Sequence, residues 1–190
     1  GSEMCIRDRI DTINEVSKVD EKGNLLKGAE MTVTSNKTKN IIDKWISGQH
    51  IFDVTDEMKA QLKENGKAEG TYMDEEDSTV QYSIVKNKGK DDYTVMFVKD
   101  GVTTYTNIDL DGNETRHMIQ GLEAGEEYVL KETKTPNGYA TFKTQTFTAE
   151  EGKDTVLSMT DEDTKIEISK QDITTKKELE GAKLKAVSYT

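Results

Sequence analysis

The chain has little of what most active sites are built from. In 190 residues it holds one cysteine, one proline, one tryptophan and two histidines. A single cysteine excludes a disulfide within the chain. It sits in Glu3-Met4-Cys5-Ile6-Arg7-Asp8-Arg9, which follows a Gly1-Ser2 cloning scar and resembles translated transposon-end sequence. Residues 1–12 are therefore expected to be a non-native leader and linker. Two histidines leave no credible serine or cysteine triad, and alone they make no metal site. His50 and His117 stand at the two ends of one stretch, which would bring them near each other. No run of 18 apolar residues exists, so no membrane-spanning helix is expected. Lysine and arginine total 26 against 37 acids, a net charge of −11, which speaks against nucleic-acid binding. No cofactor motif and no metal set is present. Asp74-Glu75-Glu76-Asp77 reads as a solvated acidic loop. Asp109-x-Asp111-Gly112-Asn113 lacks the spacing and closing glutamate of a calcium loop.

What is present is β-sequence. Threonine, glycine, aspartate and lysine are plentiful, which suits strands with one solvated face. Residues 13–34 read as strand, turn, strand, with the turn at Glu21-Lys22-Gly23-Asn24. Ile41 to Ile46 reads as another strand, with Ile42 and Ile46 sharing one face and Ile41 and Trp45 near the other. Thr55 can cap a helix over 56–65 that Gly66 ends, with Met58 and Leu62 as an apolar i, i+4 pair. Strand-like runs follow at 80–86, 93–99, 102–109 and 115–119, with Asp100-Gly101 as a hairpin turn. Two further strands are expected at 141–148 and 156–161, joined by the turn Glu150-Glu151-Gly152-Lys153.

Three strands carry ionisable residues where apolar ones belong. In Tyr128 to Thr133, alternation places Glu132 on the face of Tyr128 and Leu130. In Glu15 to Asp20, Lys18 shares a face with Val16. In Val156 to Asp161, Asp161 shares a face with Leu157 and Met159. A lysine and two carboxylates inside a core need a reason, because burying charge is costly.

These stretches resemble the collagen-adhesin B-type domain, the prealbumin-like module of Gram-positive surface adhesins and SpaA-type pilins. Ser17-Lys18-Val19-Asp20 with Gly28-Ala29 is similar to the family's first strand. Gly121-Leu122-Glu123-Ala124-Gly125 with Tyr128 to Tyr139 is similar to its E-box, and Leu157 to Asp161 to its last strand. The likeness covers roughly 13–48 and 118–163. It implies an immunoglobulin-like, prealbumin-like β-sandwich at 13–163, in which 49–118 is an inserted helix plus small β-meander. In such domains a lysine and an Asn or Asp form a spontaneous isopeptide bond assisted by the E-box glutamate. Carried over, these are Lys18, Asp161 and Glu132. The usual acceptor is asparagine, so Asp161 is a departure within the family's range.

The chemistry has a physical basis. Burial disfavours charge. A neutral lysine amine is a nucleophile, and a neutral glutamic acid can polarise the aspartyl carbonyl and pass protons. Folding supplies the proximity. The reaction occurs once per molecule, so the chain is not expected to be an enzyme with turnover.

Residues 167–172, Glu-Ile-Ser-Lys-Gln-Asp, repeat residues 15–20, Glu-Val-Ser-Lys-Val-Asp, and Gly181-Ala182 repeats Gly28-Ala29. A spacing of about 150 residues implies tandem domains, with 164–190 the truncated start of a second. Its Lys170 has no glutamate or acceptor of its own. Neighbouring tandem domains are thus the expected partners, and the resemblance implies a cell-wall or secreted location. Two readings follow. One is a stalk or shaft module stiffened by the bond. The other is an adhesive module whose insertion contacts a host protein or glycan. Adhesion predicts exposed aromatics among Tyr72, Tyr82, Tyr93 and Tyr105, whereas a spacer predicts that these rings pack into the insertion's own core. A metabolic enzyme is the least supported reading, since no catalytic set converges.

Overall fold

The computed structural model describes residues 14–139 and 144–161. Three strands come first: β1 (Asn14–Val19), β2 (Glu30–Ser35) and β3 (Ile41–Ile46). Helix α1 (Asp56–Asn65) then leads into a meander of β4 (Lys67–Met73), β5 (Thr79–Lys86), β6 (Tyr93–Lys99), β7 (Val102–Ile108) and β8 (Glu114–Met118). The last three are β9 (Glu127–Lys134), β10 (Thr144–Thr148) and β11 (Thr155–Thr160). The leader at 1–12, residues 141–143 of the strand expected at 141–148, and Lys170 with the rest of 164–190 lie outside the described residues.

The strands make two sheets. One has seven strands in the order β11-β1-β8-β7-β6-β5-β4, and the other has four in the order β10-β9-β2-β3. The described residues are all-β apart from one short helix. The expected helix and meander are present, and the meander at 67–118 does not stand alone as a sheet. β8 pairs antiparallel with β1 through Glu15–Met118 and Val16–His117, so the meander extends the sheet that β1 and β11 begin. β1 and β11 pair in parallel along their whole length, from Asn14–Thr155 to Val19–Thr160.

The long sheet is covered in two places. The four-stranded sheet covers one end, with Val16 and Met159 meeting Met31, Val33, Trp45 and Leu130. Helix α1 and the segment before it cover the other, where Phe52, Met58 and Leu62 meet Ala68, Tyr82, Ile84, Val95 and Ile108. The helix ends where its sequence dictates. Thr55 accepts a hydrogen bond from the Met58 amide, and Gly66 closes the last turn in the left-handed region at φ 70°.

Two local readings need correction. β4 was not expected, because Lys67 to Met73 has weak β-propensity and a central glycine. Gly70 is tolerated there since the Tyr82 ring lies across it, with the hydroxyl 3.0 Å from where a Cβ would stand. In β3, Ile42 packs against the core with Trp45, while Ile41 and Ile46 are exposed. A bulge explains this. Val33 pairs with Asp43 and Thr34 with Ile41, so Ile42 is the extra residue and the alternation shifts there.

A buried lysine between two carboxylates

Lys18 lies on β1, Glu132 on β9 and Asp161 just past the end of β11. Lys18 is 2% exposed, and Glu132 and Asp161 are fully buried. The structure brings the three side chains into one cluster. Lys18 Nζ donates to Asp161 Oδ1 and also contacts Glu132 Oε2. Each strand delivers its residue for a stated reason. The parallel register sets Lys18 beside Met159, and the Asp161 amide donates to the Val19 carbonyl at 3.0 Å, which holds Asp161 next to the β1 edge. Glu132 pairs across to Met31 from the opposite sheet. Glu132 therefore approaches a lysine–aspartate pair contained within the other sheet.

The surroundings are apolar. Val16, Met31, Leu130 and Met159 are all in the same core. Burial away from water pushes the Glu132 carboxyl above its usual range. Lys18 beside it pulls the other way, and the neighbouring Asp161 adds to the rise. Glu132 is thus biased toward the protonated, hydrogen-bond-donating form. Asp161 Oδ2 accepts no hydrogen bond from the described residues.

A second polar cluster, around the half-buried His117, was not anticipated. His117 stacks on Trp45 with ring centroids 3.9 Å apart and planes 12° apart. Its Nδ1 faces Glu114 at 2.9 Å and its Nε2 faces Asp43 at 2.7 Å. Burial alone would push this imidazole down, but the hydrogen bonds to Asp43 and Glu114 outweigh it, and the pKa is raised to about 9. His117 thus ties β8 of the long sheet to β3 of the short one. His50, by contrast, is exposed and pairs with Asp53. The two histidines share no cluster, and among the described residues no set of His, Cys, Asp or Glu could hold a metal. The only sequence hint was that Glu114, His117 and Asp43 all fall in strands with buried neighbours; their juxtaposition depends on how the sheets stack.

The remaining polar candidates are structural. Asp74 accepts from the Glu76 and Ser78 amides and pairs with Lys99. Asp109 accepts from the Asp111 and Asn113 amides and closes its own turn. Tyr72, Tyr82 and Tyr93 pack into the core beneath α1, with Phe52 touching both Tyr72 and Tyr82. Tyr105 is half-buried.

Residues 73–163 match the SpaA family of prealbumin-like fold domains. Over this stretch the chain is similar to SpaA-type prealbumin-like domains. The matched stretch contains Glu132 and Asp161 and begins within the meander. No curated protein matches the sequence. Similar solved structures include the shaft pilin SpaA from Lactobacillus rhamnosus GG, at 14% identity and TM-score 0.38, covering 82% of this chain and 47% of that one. A mutant of that pilin is 12% identical with TM-score 0.35, covering 82% and 52%. The pilin's C-terminal domain is 14% identical with TM-score 0.34, covering 80% and 97%. The chain spans about half the length of the full shaft pilins it matches. Among the described residues, no helix is long and apolar enough to cross a membrane.

Proposed function

We propose that this SpaA-type domain is a structural shaft or stalk module of a bacterial surface pilin or adhesin, hardened by an amide between Lys18 and Asp161. The observation that carries the reading is a lysine buried between two carboxylates in an apolar core. As a plain ion network such a group stabilises little, because desolvation offsets the attraction. A covalent product gives the burial a purpose.

The step balances without a co-reactant. The neutral Lys18 amine attacks Cγ of the protonated Asp161 carboxyl. Glu132, whose carboxyl is biased toward the protonated form by its burial, donates a hydrogen bond to the carbonyl oxygen as charge develops there. It then relays a proton from nitrogen to the departing hydroxyl. One C–N bond forms, one C–O bond breaks, one water leaves, and Glu132 ends as it began. Neighbouring domains of the same protein and a cell-surface location belong to this reading.

The packing of Tyr72, Tyr82 and Tyr93 into the meander's own core favours a spacer over an adhesive insertion. Intact mass of the denatured chain tests the chemistry. The wild type is expected one water light and a Glu132→Ala variant at full mass, with peptide mapping joining Lys18 to Asp161. Full mass in both chains would sink the covalent reading.

A further inference from the structure

On the opposite face of β1 from Lys18 lies a second buried charge, Glu15, 1% exposed. It meets Arg116 of β8, whose Nη1 donates to Glu15 Oε2 at 2.5 Å. The guanidinium is already clamped from the other side. Its Nε and Nη2 donate to the two oxygens of Asp92 at 2.8 and 3.1 Å. Asp92 in turn accepts from Asn87 and Thr115, so the fork is fixed by the meander before Glu15 reaches it. Asn107, fully buried on β7, donates to Glu15 Oε1 at 3.3 Å and to the Arg116 carbonyl at 3.1 Å. A bulge makes this possible. Asn107 pairs with Arg116 and Ile108 with Glu114, which leaves Thr115 as the extra residue, so that Thr115 and Arg116 both reach Asp92 while Glu114 and His117 meet away from it.

This socket sits where the register of β1 against β8 is otherwise thinly specified. Only Glu15–Met118 and Val16–His117 pair β1 with β8. A slip of one residue would send Lys18 to the other face, away from Glu132 and Asp161. The Glu15 carboxylate fits the pre-formed fork in one register only. That register is the one that places Lys18, three residues on, in the core.

We propose that Glu15 and Arg116 are positioning residues for the Lys18–Asp161 amide, and that the meander serves the cross-link by holding the socket into which β1 plugs. The inference rests on the covalent reading above. It assigns the inserted strands a role in the chemistry without contact with the reacting atoms. Reacting groups displaced by about an ångström lose rate steeply, on the order of a hundredfold.

The test follows loss of water with time by intact mass, on chains freshly made by cell-free translation. Wild type, Glu15→Ala and Glu15→Gln are compared at equal folded fraction by far-UV circular dichroism. Glu15→Ala leaves Arg116 paired with Asp92, so no charge is orphaned. Its amide formation is expected to be slower by about tenfold or more, with Glu15→Gln, which keeps length and an acceptor oxygen, within about threefold of wild type. A merely structural Glu15 would alter folded fraction and leave the rate of the folded chains alone. Should Glu15→Ala not fold, Glu15→Asp takes its place, one methylene short with charge kept and the same slowing expected. A wild-type rate in the folded Ala or Asp variant overturns the positioning role. A wild type that never loses water overturns the parent reading instead, so the two failures are distinct.

Discussion

His117 shows how a single side chain acquires its chemistry from its neighbours. In an unfolded chain its ring titrates near 6.5, and in the fold its pKa is about 9. The folded state binds the proton more tightly, so the ring's contribution to stability is complete below about 6.5 and fades as pH rises through about 9. The shift corresponds to on the order of 3 kcal/mol. The check is urea unfolding at about pH 6 and about pH 10, made in the Glu132→Ala background so that no covalent bond masks the change. His117→Gln should flatten most of the difference between the two pH values. Trp45 is the only tryptophan and stacks on this ring, so its fluorescence reports the same titration. An emission that stays constant across that range would contradict the raised pKa. Lys18, Glu132 and Asp161 belong to this scale too. Alternation alone put each on an apolar face, whereas Asp43, Glu114 and His117 gave no comparable signal because two sheets had to stack before they met.

At the scale of elements, turns and bulges decide which face a residue occupies. Ile42 and Thr115 are the extra residues of two bulges, and simple alternation fails at both. Helix α1 was readable end to end, since its cap, its apolar pair and its closing glycine are all local features. β4 was not readable, because Tyr82 filling the space over Gly70 is a contact between strands. The turn at 109–113 ties the meander to the segment before α1: the Ile51 amide donates to the Gly112 carbonyl at 2.8 Å. Gly112 has φ 79°, and a Cβ there would stand 1.7 Å from the Phe52 carbonyl oxygen. Gly112→Ala is therefore expected to cost at least about 1–3 kcal/mol from backbone strain alone, with the backbone clash adding to it. Chemical denaturation should show it as a lower midpoint with an unchanged slope. Gly125→Ala is the comparison, a left-handed glycine with open space around it; an equal loss in both would mean that the Phe52 contact does not matter.

For the whole molecule, the proposed bond joins residues 143 apart in sequence. By analogy with disulfide loop entropy, closing such a loop stabilises by on the order of 4–5 kcal/mol. Wild type should exceed Glu132→Ala in unfolding free energy by roughly that amount, and a gap below about 1 kcal/mol would remove the loop-closure argument. β1 and β11 are neighbours in the long sheet, so the bond would link the first and last described strands directly. Tension applied at the two ends of the domain would then pass through an amide and bypass the hydrogen bonds between the strands. The fully paired parallel register of β1 and β11 brings the two ends of that path together.

The amino-acid order alone determined the β-class, the helix with both its ends, most of the meander and the three ionisable residues facing a core. These follow from periods of two and 3.6 and from local turn chemistry, which need no partner strand. Tertiary structure decided the rest. It joined the expected insertion into one seven-stranded sheet, because β8 found its hydrogen-bond partner in β1, Glu15 pairing with Met118 and Val16 with His117. It assembled the Glu15–Arg116–Asp92 socket and the Asp43–His117–Glu114 clamp from strands whose sequences say nothing of one another. Register and sheet stacking are long-range choices, settled by the net gain from burying whole faces, and no local window of residues contains them.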